Sequence, residues 1–149
     1  MDIAVIEDAK IFTIPMIPKI SKVTFPISSS YRYLVFQFRN LNKFFKINLK
    51  VIDGSSKLRN ISISNSRSTI YIINNECSIP LIVSSSSWQI LKIDIVDILK
   101  KAFGVTLNVT TEISIEGVIK ISKIYFEDLD YCDAQLPDFL RLVGSMVAW

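Results

Sequence analysis

The chain has 149 residues, half of them hydrophobic and 21% charged, and a formal net charge of +3. A chain of this length fits one domain and can bury roughly 68–70% of its unfolded surface, which excludes a disordered segment and a miniature stapled by disulfides. Its 17 basic and 14 acidic residues fall short of the concentrated basic patch of a nucleic-acid binder, and no run reaches the roughly 18 apolar residues of a membrane span.

The first residues carry Asp2, Glu7 and Asp8 and lack a basic start followed by a long apolar run, so they do not read as a signal peptide. Pro15, Pro18 and Pro26 make residues 1–26 irregular and belong at edges or bends. After Ser28-Ser29-Ser30 comes the apolar run 31–38, which has little polar relief and predicts a central strand covered on both faces. From there the dominant period is two. Ile47, Leu49 and Val51 alternate with Lys46, Asn48 and Lys50, and Ile61 and Ile63 alternate with Asn60, Ser62 and Ser64. Leu91, Ile93 and Ile95 follow the same rule, as do Ile113 and Ile115. Such alternation marks strands with one face in a core and one in water.

Turn chemistry separates these runs. Asp53-Gly54-Ser55-Ser56 predicts a hairpin loop, and further breaks fall at 74–76, 84–87 and 116–117. One segment departs from the period. Ile95, Val96, Ile98, Leu99, Ala102 and Phe103 recur at spacings of three and four, with Asp97 early, Lys100 and Lys101 late, and Gly104 as the stop. Acid first, base last and a terminal glycine predict a short helix over 96–103. A second helical turn is expected within 134–142, limited by Pro137. Many short strands about 8–12 residues apart, with no linker or repeat, predict a single all-β domain over 1–149, a β-sandwich or jelly roll.

The chemistry available is narrow. The chain has no histidine, which removes the Ser-His-Asp and Cys-His arrangements and most zinc sites. Its four glycines are scattered, so no phosphate-cradling loop is encoded. Cys77 and Cys132 are read as reduced thiols of a cytosolic protein. The sequons at Asn60 and Asn108 are short enough to arise by chance. The acidic run Glu127, Asp128, Asp130, Asp133 and Asp138 could bind calcium or serve a glycosidase; without EF-hand spacing, it reads as a solvated loop after a core strand. Trp88, Tyr31, Tyr33, Tyr71 and Tyr125 are candidate sugar platforms, weighed against the usual place of aromatics in a core. The residues expect no enzyme and no cofactor or metal.

Several stretches, in order, resemble the cilia- and flagella-associated protein 20 family. Leu41-Asn42-Lys43-Phe44-Phe45 is similar to that family's entry into a long strand. Val51-Ile52-Asp53, Arg59, Ser64-Asn65, Ser68-Thr69 and Pro80 follow at matching places. Trp88 opens a strand, Asp97 enters the helix, Lys100-Lys101-Ala102-Phe103-Gly104 is similar to the family's R-R-A-Y-G, and Ile124-Tyr125-Phe126 and Leu136-Pro137 complete the set. The resemblance implies a β-sandwich shaped like carbohydrate-binding modules. It also implies a non-enzymatic structural role in ciliary and flagellar doublet microtubules, at the inner junction of the A- and B-tubules. The implied partners are α/β-tubulin, neighbouring axonemal proteins and copies of the chain itself, with no nucleic acid and no membrane. The candidate interface residues are Lys46, Lys50, Lys57, Arg59, Lys100 and Lys101. Residues 1–40 follow the family pattern poorly and the basic triplet of the hairpin strand is reduced to Lys57 and Arg59, so the chain is read as a shortened or divergent member. The alternative is a β-sandwich that binds a ligand such as a glycan.

Overall fold

The computed structural model describes residues 2–7, 10–15, 21–66, 68–83 and 86–129, the first two stretches and Ser21 as backbone only. Eleven strands and one helix follow in chain order among them. They are β1 (Asp2–Glu7), β2 (Lys10–Pro15), β3 (Ser21–Ser29), β4 (Tyr33–Arg39), β5 (Phe45–Asp53) and β6 (Leu58–Ser64). β7 (Tyr71–Ile73), β8 (Glu76–Pro80), β9 (Trp88–Asp94), α1 (Ile95–Phe103), β10 (Leu107–Gly117) and β11 (Lys120–Glu127) complete the set. The expected helical turn within 134–142 lies outside the described residues.

A six-stranded sheet in the order β3-β10-β5-β6-β8-β7 faces a three-stranded sheet in the order β11-β4-β9. The hairpin β1-β2 is a separate pair, with β1 beside β11. One apolar cluster joins the two sheets, Phe45, Leu49 and Ile113 from the larger and Leu34, Phe36 and Ile124 from the smaller. This is the expected all-β sandwich. Burying each such side chain contributes about 1.5–3 kcal/mol, so the facing apolar rows dominate the stability.

β5 alternates buried and half-buried residues along its whole length, as its sequence predicts. β4 is different. Leu34, Phe36 and Phe38 enter the core, yet Val35 and Gln37 on the opposite face are fully buried as well, in agreement with the expectation of a strand covered on both sides. The pairing of β6 with β8 is parallel, while every other ladder is antiparallel. It arises because the β7-β8 hairpin, turned at Asn74 with φ 52°, folds back so that β8 lies between β6 and β7.

The helix begins at Ile95, one residue before the expected start. Asp94 caps it by accepting a 3.0 Å hydrogen bond from the Asp97 N–H. The Arg32 guanidinium forks onto both Asp94 oxygens at 2.9 and 2.8 Å, which fixes the cap to the start of β4. Ile95 and Leu99 point into the core, and Asp97 and Lys101 pair at 2.9 Å on the exposed side. Gly104 closes the helix in the left-handed region with φ 67°. No helix among the described residues is long and apolar enough to cross a membrane.

Gly117 ends β10 with φ 98°, and a Cβ there would overlap the Phe44 carbonyl oxygen. Both the backbone angle and the close strand approach require glycine. Gly117→Ala should cost at least about 2 kcal/mol, seen as a melting-temperature drop of about 4–8 °C in a domain of this size, checked by thermal circular dichroism.

Candidate functional site

The first candidate surface is built around a buried carboxylate. Asp53 ends β5 with no exposed surface. Its Oδ1 accepts from the N–H groups of Ser55 at 2.8 Å and Lys57 at 3.0 Å, and its Oδ2 accepts from Arg59 Nε at 2.9 Å. Asp at the first position of a turn is suited to this, because its side chain satisfies backbone donors that the turn leaves over. The N–H of Lys57 above all, and the Arg59 guanidinium, hold the Asp53 carboxyl below its ordinary range against the opposing effect of burial.

Arg59 lies on the inner side of β6, where its guanidinium stacks 4.6 Å from the Phe103 ring centre and donates to Asn75 at 3.0 Å. The Gly54 N–H donates to the Thr106 carbonyl at 3.0 Å. The β5-β6 turn is thereby seated against the segment that leaves the helix. Lys57 from the turn and Lys100 and Lys101 from the helix end, more than forty residues apart in sequence, belong to the two segments that these contacts bring together. Lys101 is 77% exposed while the Arg59 side chain is 12% exposed, so the lysines are the surface charges and Arg59 is the strut beneath them.

Lys46 and Lys50 lie elsewhere, on the outward face of β5 in the larger sheet. Lys50 pairs with Glu112 across the ladder at 3.1 Å, and Lys46 faces Glu116 in the same register. Lys46 and Lys50, with Asn48, Asn60, Ser62, Tyr71, Glu76 and Ser78, line a depression of about 240 Å³ on this face. The Ser62 and Ser78 hydroxyls hydrogen-bond each other at 2.9 Å. Among the described residues the buried Asn60 Oδ1 has no hydrogen-bond partner. The alternation of β6 puts Asn60 and Ser62 outward, but the sequence carries no sign that β8 would add Ser78 and Glu76 beside them, because that pairing is non-local and parallel.

The other sequence candidates separate. Glu127 is not in a solvated loop; it ends β11, buried, with its Oε1 3.5 Å from Lys92 Nζ. The strand runs through Glu127, and the face of β4-β11 away from the core is also covered there, as buried Val35, Gln37 and Tyr125 show. Asp128 is exposed, and Asp130, Asp133 and Asp138 lie outside the described residues. Tyr125 is buried beside Val35 rather than in the inter-sheet cluster, Tyr31 packs against that cluster, Tyr33 lies under Arg32, Trp88 is half-buried, and Tyr71 is 45% exposed. Cys77 is a buried free thiol on the inner side of β8, pushed up in pKa by burial; Cys132 lies outside the described residues.

A family model described as the CFA20 domain matches residues 6–144. This chain belongs to the CFA20 domain family. The match begins near the start of the chain, so the family pattern reaches into the N-terminal stretch that the short motifs did not cover. Among relatives of this CFA20 domain is a protein named cilia- and flagella-associated protein 20 from Chlamydomonas reinhardtii, 28% identical over 110 residues, which are 74% of this chain and 57% of that protein. Proteins of the same name from Paramecium tetraurelia and Caenorhabditis elegans are 27% and 26% identical over the same length, covering 57% and 54% of their own chains. The aligned part thus spans little more than half of each relative.

Asp53 is the test of how the basic end is held. Because its folded pKa is depressed, its contribution is complete above the unfolded value of about 4 and is lost as pH falls toward the folded value. Asp53→Asn should lower the melting temperature at pH 7, and the gap to the parent should narrow as pH drops from about 4 toward 2, as followed by thermal melts across that range.

Proposed function

We propose that this CFA20 domain is a non-catalytic structural component of ciliary or flagellar doublet microtubules, placed at the inner junction between the A- and B-tubules. It binds tubulin there, together with neighbouring axonemal proteins and copies of itself. The observation that carries this reading is the family match over residues 6–144, with relatives named for cilia and flagella.

The surface supports it in one respect. Tubulin presents an acidic exterior, and Lys57, Lys100 and Lys101 form an exposed basic end on a rigid base. Rigid positioning lowers the ordering cost of binding, and like charges gathered at one end steer an acidic partner. Glu116 and Glu112 stand across from Lys46 and Lys50, and Asp97 pairs with Lys101, so each of these carboxylates offsets part of the field and Lys57 and Lys100 carry most of the basic end's charge.

Fractionation of isolated cilia through detergent and graded salt tests the reading. The protein should stay with the doublets and leave only under conditions that open the B-tubule. Recovery in the soluble or membrane fraction would overturn it. A Lys57→Glu, Lys100→Glu, Lys101→Glu variant should keep its fold and be released at lower salt, since exposed charge pairs are screened over about 8–10 Å at these ionic strengths.

A further inference from the structure

The depression on the outer face of the larger sheet has a chemistry that the basic end lacks. Two carboxamides, Asn48 and Asn60, and two hydroxyls, Ser62 and Ser78, among its lining residues offer donors and acceptors together. One acceptor, Asn60 Oδ1, is buried without a partner among the described residues; a buried acceptor left unmatched is costly, so the site is set to receive a donor. Charge at the site is close to balanced. Lys50 is paired with Glu112 at 3.1 Å, Lys46 stands opposite Glu116, and Glu76 lines the site. A carboxylate or phosphate ligand would find Lys50 already paired and Lys46 opposite a carboxylate, and a cation would meet both lysines as like charge. Tyr71, 45% exposed, adds an aromatic surface at the edge, on which an apolar C–H face can stack.

A ligand that is uncharged, rich in hydroxyl donors and acceptors, and flat on one face meets all of these demands. We propose that this depression binds a neutral saccharide, seating one sugar ring over Asn48, Asn60, Ser62 and Ser78 against Tyr71. The site lies on a rigid sheet and about 240 Å³ in size, below the usual span of drug-sized pockets, so it takes one ring of a longer glycan. This goes beyond the axonemal reading and does not depend on it: cilium fractionation can fail while the sugar site stands, and the reverse.

The test is titration of the isotope-labelled full chain by heteronuclear NMR. The free probes are cellohexaose, chitohexaose and mannohexaose, and a high-mannose glycopeptide and its deglycosylated form test for protein-linked glycan. At least one neutral probe should shift the signals of Asn48, Asn60, Ser62 and Ser78 at concentrations on the order of millimolar. A response to the glycopeptide that vanishes on deglycosylation assigns protein-linked glycan, and a response to the free sugars alone assigns soluble oligosaccharide. Asn60→Leu and Tyr71→Ala should each weaken binding by about tenfold while leaving the melting temperature near the parent's, and Tyr71→Phe should retain most of it. No shift from any probe, shifts elsewhere on the chain, or unchanged affinity in Asn60→Leu would overturn the proposal. Stronger binding of polyglutamate or a heparin oligosaccharide at these residues would overturn it too, by showing that the lysines govern the face.

Discussion

The fold depends on the burial of two apolar sheet faces against each other. Strands have no stable existence alone; a sheet must bury one face, and here the two sheets bury theirs against each other, with Ile95 and Leu99 of the helix in the same cluster. Phe36 at the centre of β4 and Leu49 at the centre of β5 both reach zero exposure in that seam. Once the seam is dry, register follows, because a slip by one residue would put Lys46, Asn48 and Lys50 inside and Ile47 and Leu49 in water.

The polar features are consequences of closing that seam. Where β5 leaves the core it must turn without stranding donors, and Asp53 accepts them. The carboxylate is itself buried, so it requires Arg59, and Arg59 lies flat on Phe103 of the helix end. One turn thus locks two parts of the chain far apart in sequence, and the exposed lysines are carried with them. The other end of the helix repeats the logic, with Asp94 serving as N-cap and as the partner of Arg32. In both places a carboxylate accepts from backbone N–H and is balanced by an arginine, Arg32 forking onto both oxygens of Asp94 and Arg59 donating once, through Nε, to Asp53, so that neither charge is left alone.

The two surfaces have different physical characters. The basic end concentrates charge on flexible lysine stems over a rigid support, which suits contact with an extended acidic surface. The outer sheet face holds matched charges and short polar side chains fixed by the pleat, which suits recognition of shape and hydroxyl pattern. The two surfaces are built from different residues, so a use of one leaves the other open.

Much of this was legible in the residues. Alternation named β5, β6, β9 and the middle of β10, and the acid, base and glycine order named the helix to within one residue. These are local signals, set by side-chain period and by the unsatisfied groups at helix ends, and they act before any tertiary contact forms. The basic residues were legible as charges but not as a surface: Arg59 and Lys57 look equivalent in sequence, and only the packing of Phe103 and the burial of Asp53 turned one inward and left the other in water. β7, β8 and the full length of β11 escaped, since their strands are short or covered on both faces and so carry no clean period. The sequence by itself determined which residues face a core and where the helix stops, because those follow from spacing along the chain. Tertiary structure alone decided that β8 joins β6 in parallel, that Ser62 meets Ser78, and that Arg59 meets Phe103 at the helix end, because non-local pairing is chosen by which apolar faces can be buried together.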